Sequence, residues 1–166
     1  AAGLSSRFSG DKLIHPYQGK PLAAHIADTL AGIEVDIRLA VCPSANEARQ
    51  TIFRSRGFEI VENNNPGVGL SSSLILGTRR ALDLGIDTLL VCLADMPHIS
   101  ADYLESILAD MASGTPIVAS QHGDFRSPPA GFAGESLRQL LTVEGDKGAR
   151  ALLATAKTLS LPAALA

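Results

Sequence analysis

The sequence DTLLVCLAD, residues 87–95, contains the strongest strand pattern of the chain. Its apolar centre, from Leu89 to Ala94, has the length of a buried strand and is far too short to cross a membrane. Helical patterns lie on both sides, SSSLILGTRRALDLG (71–85) before it and SADYLESILADMASG (100–114) after it. This succession predicts crossover units in which helices cover a mainly parallel sheet.

The same alternation extends in both directions along the chain. Further helical patterns and further strand patterns follow one another at 21–32, 36–42, 44–57, 58–62 and 116–120. Ser44, with Glu47 three residues later, predicts a capping box at the start of the helix 44–57. Two more helical segments between Gly134 and Ala156 precede a last strand near 157–161. We therefore expect one α/β domain over residues 1–166.

Composition narrows the class of protein. A net charge of −3, with acids and bases dispersed along 166 residues, offers no basic surface for nucleic acid. No segment has the length of a membrane helix and no signal peptide is recognisable, which predicts a cytoplasmic protein without a membrane partner. The four histidines lack zinc-ligand spacing. Cys42 and Cys92 each follow an apolar run, so we expect buried, reduced thiols.

Ligands of open α/β sheets bind at the carboxyl ends of the strands, which directs attention to the loops. AAGLSSRFSGDK, residues 1–12, combines glycines and serines with the cations Arg7 and Lys12. Such a loop can supply backbone N–H donors and positive charge to a triphosphate. It lacks both the Walker A and the GxGxxG pattern, so a plain surface loop is the alternative.

Asp95 ends the strand pattern of LLVCLADMP, residues 89–97. A carboxylate at this edge, together with phosphate oxygens and water, is a typical way of holding Mg²⁺ in a nucleotide site. The alternative is that Asp95 only caps the turn before the next helix.

ENNNPGVGLSSSL, residues 62–74, joins three asparagines to a serine-rich helix start. Its amides could contact a base or a ribose, and the helix N-terminus could bind an anion. The alternative is a simple turn, with Ser71 as N-cap on either interpretation.

DFRSPPAGF (124–132) and EGDKGAR (144–150) form the last candidate region. The cations Arg126, Lys147 and Arg150 could meet an acidic acceptor or form a solvated surface. Asp146 has the position of an N-cap for the following helix.

Five blocks stand in a fixed order: AAGLSSRFSGDK, GKPL (19–22), GLSSSL (69–74), LADMP (93–97) and GDKGARALL (145–153). In this order they resemble the MobA-like NTP transferase family, and most narrowly the molybdenum cofactor cytidylyltransferases. The resemblance implies a Rossmann-like three-layer α/β/α sandwich with a mainly parallel sheet, of the nucleotide-diphospho-sugar transferase type. It also implies attack of a substrate phosphate on the α-phosphorus of an NTP, with release of pyrophosphate.

The resemblance implies a role for each matching residue. Catalysis would depend on Arg7, Lys12 and Asp95, with Asp95 also holding the Mg²⁺ cofactor. Acceptor binding would fall to Arg126, Pro129, Asp146, Gly148 and Arg150. Nucleotide binding would involve Ala2, Gly3, Ser5, Arg7, Lys12, Gly69, Ser71, Ser72 and Ser73.

Substrate choice follows from finer features of the same blocks. The alanine in AAG (1–3) and the block GLSSSL resemble the cytidylyltransferases and favour CTP, with GTP as the alternative. The expected acceptor is molybdopterin or the molybdenum cofactor, and a sugar phosphate or alcohol phosphate is the second candidate. A molybdoenzyme or its chaperone is an expected protein partner.

The sequence departs from the family pattern in two ways, and one non-enzymatic function is also an alternative. The apolar strand that precedes the first loop in relatives, and the acidic segment that follows the last helix, are both expected to be missing. The non-enzymatic alternative is a molybdenum cofactor carrier or chaperone.

Overall fold

In the computed structural model, which describes residues 10–145 and 150–162, helices and strands alternate along the chain as the sequence predicts. The helices are α1 (Leu22–Gly32), α2 (Glu47–Arg54), α3 (Leu70–Asp83), α4 (Ala101–Ala112), α5 (Glu135–Gln139) and α6 (Arg150–Leu153). The strands are β1 (Pro16–Tyr17), β2 (Lys20–Pro21), β3 (Leu39–Pro43), β4 (Glu59–Asn63), β5 (Thr88–Val91), β6 (Ile117–His122), β7 (Phe125–Ala133) and β8 (Lys157–Ser160). Short 3₁₀ turns lie at Pro66–Val68 and Leu140–Thr142.

The strands pair in three groups. β1 and β2 form a small antiparallel hairpin, and β3 and β4 form a parallel pair. The main sheet has the order β5-β7-β6-β8, with β6 and β8 parallel and β7 antiparallel to both of its neighbours. Crossover connections therefore coexist with one antiparallel strand in a mixed sheet.

β6 shows why the main sheet needs helices on both faces. Side chains alternate between the faces of a strand, and Val118 packs into a cluster with Leu104 and Ile107 of α4. Its neighbours Ile117 and Ala119 belong to a second cluster that contains Leu137, Leu140, Leu153 and Phe132. The sheet is thus covered on both faces, which confirms the predicted three-layer α/β/α sandwich.

β7 is the element that the sequence analysis missed, because Pro128 and Pro129 interrupt the pattern of DFRSPPAGF. The structure accommodates both prolines at an irregularity in the pairing with β6, where the register shifts between Ala119 and Ser120. Ala119 pairs with Ala130 and Ser120 pairs with Ser127, so the two prolines fall between paired positions. Their missing N–H groups therefore cost no ladder hydrogen bond.

Helix starts were predicted less accurately than the helices themselves. Ser100 caps α4 as its position suggests, because its side chain accepts a hydrogen bond from the Tyr103 N–H. The predicted cap Ser44 is wrong: α2 begins later, and Asn46 accepts from the Arg49 N–H instead. Ser71 is wrong as an N-cap too, because α3 begins one residue earlier, with Gly69 in the cap position.

Both cysteines are free, which confirms the expected reduced thiols. Cys42 is fully buried as predicted, whereas Cys92 is only partly buried and lines an apolar cavity of about 360 Å³ that is also bordered by residues 39–41 and by α3. Burial raises the pKa of both thiols, that of Cys92 to about 12 because its surroundings are apolar.

Among the described residues, no helix combines the length and apolarity needed to cross a membrane.

Candidate active site

Lys12 and Asp95 lie side by side, although they come from distant parts of the sequence. The Lys12 Nζ atom donates a hydrogen bond of 3.2 Å to Asp95 Oδ2. About half of each side chain remains exposed, 48% for Lys12 and 42% for Asp95. The structure therefore brings together a cation and a carboxylate, both predicted to act in catalysis, at a site open to solvent.

The chain is anchored on both sides of Asp95, so its carboxylate has a defined position at the surface. β5 ends at Val91, and the chain then runs through buried Ala94 to the turn at Asp95. Buried Ile99 anchors the other side of the turn, just before Ser100 caps α4. A half-buried strand and a capped helix thus hold the carboxylate beyond the end of β5, at the edge where ligands of α/β sheets bind.

Lys12 follows Asp11, whose two carboxylate oxygens both accept hydrogen bonds. The Asp11 carboxylate accepts hydrogen bonds from Arg49 Nε (2.6 Å) and Arg49 Nη2 (2.7 Å). It also accepts from Asn46 Nδ2 (2.7 Å) and from the Leu13 N–H (3.1 Å). Burial alone would raise the pKa of Asp11, but the bonds from Arg49 and Asn46 outweigh it, and the pKa lies below its ordinary value.

Sequence reasoning missed Asp11, Asn46 and Arg49, although a signal for one of them was present. Arg49, Ile52 and Phe53 have the i, i+3, i+4 spacing of a buried helix face, and all three are buried in α2. A charged residue on such a face requires a buried partner. The pattern does not identify that partner, which lies 38 residues away.

A small hairpin borders the turn that carries Asp95. The hydroxyl group of Tyr17, in β1, is 3.0 Å from His98 Nε2, and the two rings meet edge to face. His25 Nε2, from α1, lies 2.7 Å from the Tyr17 carbonyl oxygen. The contact with His98 ties the β1–β2 hairpin to the 94–99 turn, and the contact with His25 ties it to α1.

The predicted nucleotide-contact serines lie at the start of α3. Ser71 and Ser73 are buried, while the Ser72 hydroxyl donates to the Gly69 carbonyl at 2.9 Å. Asn63, the last residue of β4, donates to the Ser72 and Ser73 hydroxyls at 2.9 and 3.1 Å. The three serines therefore serve the local structure in part, and Gly69 and Ser72 are the two predicted contacts here that keep partial exposure.

A groove of about 520 Å³ runs beside these serines. One wall comes from the asparagine loop 62–65 and from Ser71 and Ser72. The other wall includes Val143, Glu144 and Gly145, just before the predicted acceptor residue Asp146. The groove thus lies between the two segments to which the sequence assigned the nucleotide and the acceptor.

The predicted acceptor residues lie in different environments. Arg126 in β7 donates from Nη1 to the Leu153 carbonyl at 3.0 Å and to the Ala154 carbonyl, which joins β7 to the end of α6. Arg150 is exposed at the start of α6. Pro129 is fully buried, and its carbonyl accepts a 2.7 Å bond from the Ser120 hydroxyl. Arg150 therefore offers a surface to an acceptor, and Pro129 offers little.

Several predicted site residues fall outside the described part of the chain. These are Ala2, Gly3, Ser5 and Arg7 in the first loop, and Asp146, Lys147 and Gly148 before α6. Their assigned roles remain predictions.

Comparison with known proteins gives the family directly. The profile of the MobA-like NTP transferase domain matches residues 1–160. The chain belongs to this family. It is therefore a nucleotidyltransferase, as the five sequence blocks imply.

Proteins with similar sequences carry names of different functions. The transferase is 30% identical over 162 residues to the purine catabolism protein PucB of Bacillus subtilis, with 92% of this chain and 77% of PucB covered. It is 30% identical over 110 residues to a probable molybdenum cofactor guanylyltransferase of Pyrococcus horikoshii, covering 66% of this chain and 53% of that protein. It also spans about a quarter of the length, 26%, of the bifunctional protein GlmU of Brucella anthropi, with 28% identity and 71% of this chain covered.

Solved structures agree with the fold. Rv0371c from Mycobacterium tuberculosis superposes with a TM-score of 0.82 at 21% identity, covering 97% of this chain and 84% of Rv0371c. A second structure of Rv0371c, a complex with manganese, gives a TM-score of 0.75 at 19% identity, with 90% and 80% covered. At this level of identity the match establishes the shared architecture.

The capacity of the site to hold a metal ion rests on one carboxylate. Within residues 10–145 and 150–162, no group of three His, Cys, Asp or Glu side chains could hold a metal ion by itself. Asp95 nevertheless offers exposed, hard carboxylate oxygens, the donor type that Mg²⁺ prefers. A single carboxylate suits a cation whose other ligands are nucleotide phosphates and water.

Proposed function

We propose that this nucleotidyltransferase transfers CMP from CTP to the phosphate of a molybdopterin-type acceptor and releases pyrophosphate. The observation that carries the proposal is the exposed pair of Lys12 and Asp95 at the end of β5, 3.2 Å apart. The cation can meet phosphate oxygens, and the carboxylate can meet the metal ion that accompanies a nucleotide.

The reaction needs positioning and charge compensation more than covalent catalysis. A bond forms between an acceptor phosphate oxygen and the α-phosphorus, and the bond from the α-phosphorus to the leaving pyrophosphate breaks. Negative charge increases around the α-phosphate and on the leaving group during this exchange. Lys12 would stabilise that charge, and the predicted contacts from Gly3, Ser5 and Arg7 would hold the triphosphate.

We assign the cofactor as Mg²⁺, held by Asp95 together with phosphate oxygens. When bound, a divalent cation supplies Lewis-acid stabilisation of the phosphate oxygens and orients the triphosphate. The manganese complex of Rv0371c, a protein of the same fold, supports use of a divalent ion. Asp95 also accepts a hydrogen bond from Lys12, so the proposed metal ligand and the proposed phosphate-binding cation would act on the same nucleotide.

CTP is the favoured donor because of the AAG loop and the GLSSSL block. GTP is the alternative, supported by the likeness to a probable molybdenum cofactor guanylyltransferase.

For the acceptor, the groove beside Ser72 and Gly145 could receive a flat, polar ring, as expected of a pterin. A sugar or alcohol phosphate is the second acceptor class. A cofactor carrier or chaperone, with a molybdoenzyme as partner, is the non-enzymatic alternative.

Calorimetric titration separates these possibilities. CTP, GTP and ATP are titrated with Mg²⁺ into the unchanged protein, into Asp95→Ala and into the matched control Asp36→Ala. Asp36 is also exposed, but it precedes a strand, β3, whereas Asp95 follows one. We expect CTP to bind most tightly, and Asp95→Ala to weaken binding about tenfold or more while Asp36→Ala leaves it unchanged.

Other outcomes have distinct meanings. Preference for GTP moves the assignment to the guanylyl branch, and absence of binding by all three nucleotides contradicts the proposed function. Pyrophosphate release is then measured with molybdopterin and with a sugar phosphate as acceptors. Pterin binding without pyrophosphate release would identify a carrier.

A further inference from the structure

The geometry points to Arg49 as a positioning residue that acts through Asp11 on Lys12. This inference rests on the proposed function, because it assumes that Lys12 meets the nucleotide. Arg49 lies on α2, which contributes no predicted nucleotide contact, and it touches the loop 1–12 through Asp11. Its side chain is only 6% exposed.

Burying the ion pair of Arg49 and Asp11 has an energetic cost. A buried guanidinium and carboxylate lose their hydration, and an apolar pair of the same size would often stabilise a fold equally well. The bidentate arrangement of Arg49 on Asp11 instead fixes direction, because the planar guanidinium donates two parallel hydrogen bonds. Such a pair is well suited to holding a chain segment in one place.

Asn46 adds a second fixed contact. Its Oδ1 atom accepts from the Arg49 N–H at 3.0 Å and caps α2, while its Nδ2 atom donates to Asp11 Oδ2 at 2.7 Å. One amide therefore ties the start of α2 to the Asp11 carboxylate. Both oxygens of Asp11 are occupied by partners on α2 or its cap, and Oδ1 also accepts from the Leu13 N–H.

The backbone carries this constraint to Lys12. A turn follows Asp11, in which the Ile14 N–H donates to the Asp11 carbonyl at 3.2 Å. The Ala23 N–H donates to the Leu13 carbonyl at 3.0 Å, which anchors the segment to α1. The backbone of Lys12 is thus restrained on both sides, by contacts of Asp11 and of Leu13. Its flexible side chain therefore reaches Asp95 from a fixed Cα position. Without these restraints, additional backbone entropy would be lost when Lys12 binds the nucleotide.

The test uses variants that separate position from stability. Arg49→Lys keeps the charge but removes the two parallel hydrogen bonds. Asn46→Ser keeps a good helix cap but shortens the side chain that reaches Asp11. Arg54→Lys is the matched control, since Arg54 lies on the same helix and pairs with Glu47 at the surface.

The first measurement does not depend on catalysis. Acylation of the Lys12 amine by a small reagent is followed by peptide mass spectrometry in each folded variant. We expect Lys12 in Arg49→Lys and in Asn46→Ser to react faster than in the unchanged protein, approaching its rate in Asp95→Ala. Arg54→Lys should match the unchanged protein. Equal Lys12 rates in Arg49→Lys, Asn46→Ser and the unchanged protein would overturn the positioning role, whether or not the proposed function holds.

The second measurement is a double-mutant cycle on nucleotidyl transfer. Arg49→Lys should lower kcat/KM between about 10- and 100-fold in the unchanged background, as expected for a displaced catalytic group. In a Lys12→Ala background the same substitution should have almost no further effect, because the lysine that Arg49 positions is then absent. Fully additive losses would show a general structural effect and contradict the inference. Should Arg49→Lys not fold, Asn46→Ser enters the same cycle.

Discussion

The Lys12 ammonium and the Asp95 carboxylate lie 3.2 Å apart across 83 residues of sequence, and each side chain is about half exposed. An ion pair with this exposure contributes only about 0–1 kcal/mol to stability. Its two members can therefore be replaced without unfolding the protein, and a loss of activity in such variants reports on chemistry.

Lys12→Ala is expected to reduce nucleotidyl transfer about 100-fold, because one preorganised charge on the reacting phosphate is lost. The free energy of unfolding, measured by urea titration, should change by no more than about 1 kcal/mol. Lys157→Ala is the control, since Lys157 in β8 is also half exposed and forms an ion pair with Asp110 of α4. A Lys12→Ala variant with full activity would remove the residue from the mechanism.

Removal of divalent metal should abolish nucleotidyl transfer, and added Mg²⁺ or Mn²⁺ should restore it. In Asp95→Asn the concentration of metal needed for half-maximal activity should increase about tenfold or more, because a neutral amide replaces the carboxylate ligand. Asp36→Asn should behave like the unchanged protein. Identical metal dependence in Asp95→Asn and the unchanged protein would contradict the assigned metal ligand.

Asp11 is expected to make stability depend on pH. Its pKa in the folded protein lies below the ordinary value of 3.8, so ionised Asp11 favours the folded state. This contribution is fully present well above pH 3.8 and is lost as the pH falls towards the folded-state pKa. The difference in unfolding free energy between the unchanged protein and Asp11→Asn should therefore shrink from pH 7 to pH 3. A difference that stays constant over this range would contradict the linkage.

Gly131 in β7 leaves space for a side chain of α4. A Cβ atom added at Gly131 would lie 1.9 Å from the Met111 sulfur, and Met111 is itself buried. Gly131→Ala should destabilise the fold by about 1–3 kcal/mol through overpacking. Gly32→Ala is the control, because a Cβ there meets nothing within 4 Å. In a Met111→Ala background Gly131→Ala should cost less than in the unchanged protein, and an equal cost in both backgrounds would exclude the clash.

Most of the fold could be predicted because burial leaves a periodic trace in the sequence. The apolar run of β5 and the helical spacing of α3 and α4 are such traces, and each element lies within a few residues of its predicted position. β7 left a weaker trace, since Pro128 and Pro129 are normally incompatible with a central strand. Only the pairing partners reveal that both prolines lie at the register shift.

The site was predictable to the extent that family blocks contain it. Lys12 and Asp95 each stand in a block, although no pattern within either block indicates that they touch. The partners of Asp11 belong to no block, and they depend on the packing of α2 against a distant segment. Long-range polar contacts of this kind are set by the tertiary structure, so single-sequence reasoning cannot identify them.

The β6–β7 hairpin also has a consequence for the order of folding. Its strands are adjacent in sequence, with His122 paired to Phe125 across a two-residue turn, so it can close within microseconds. β5 and β8 pair with this hairpin across intervals of about 40 residues and must first overcome the larger entropy of loop closure. We expect the hairpin to nucleate the sheet, and the turn that carries Asp95 to form only once β5 has docked.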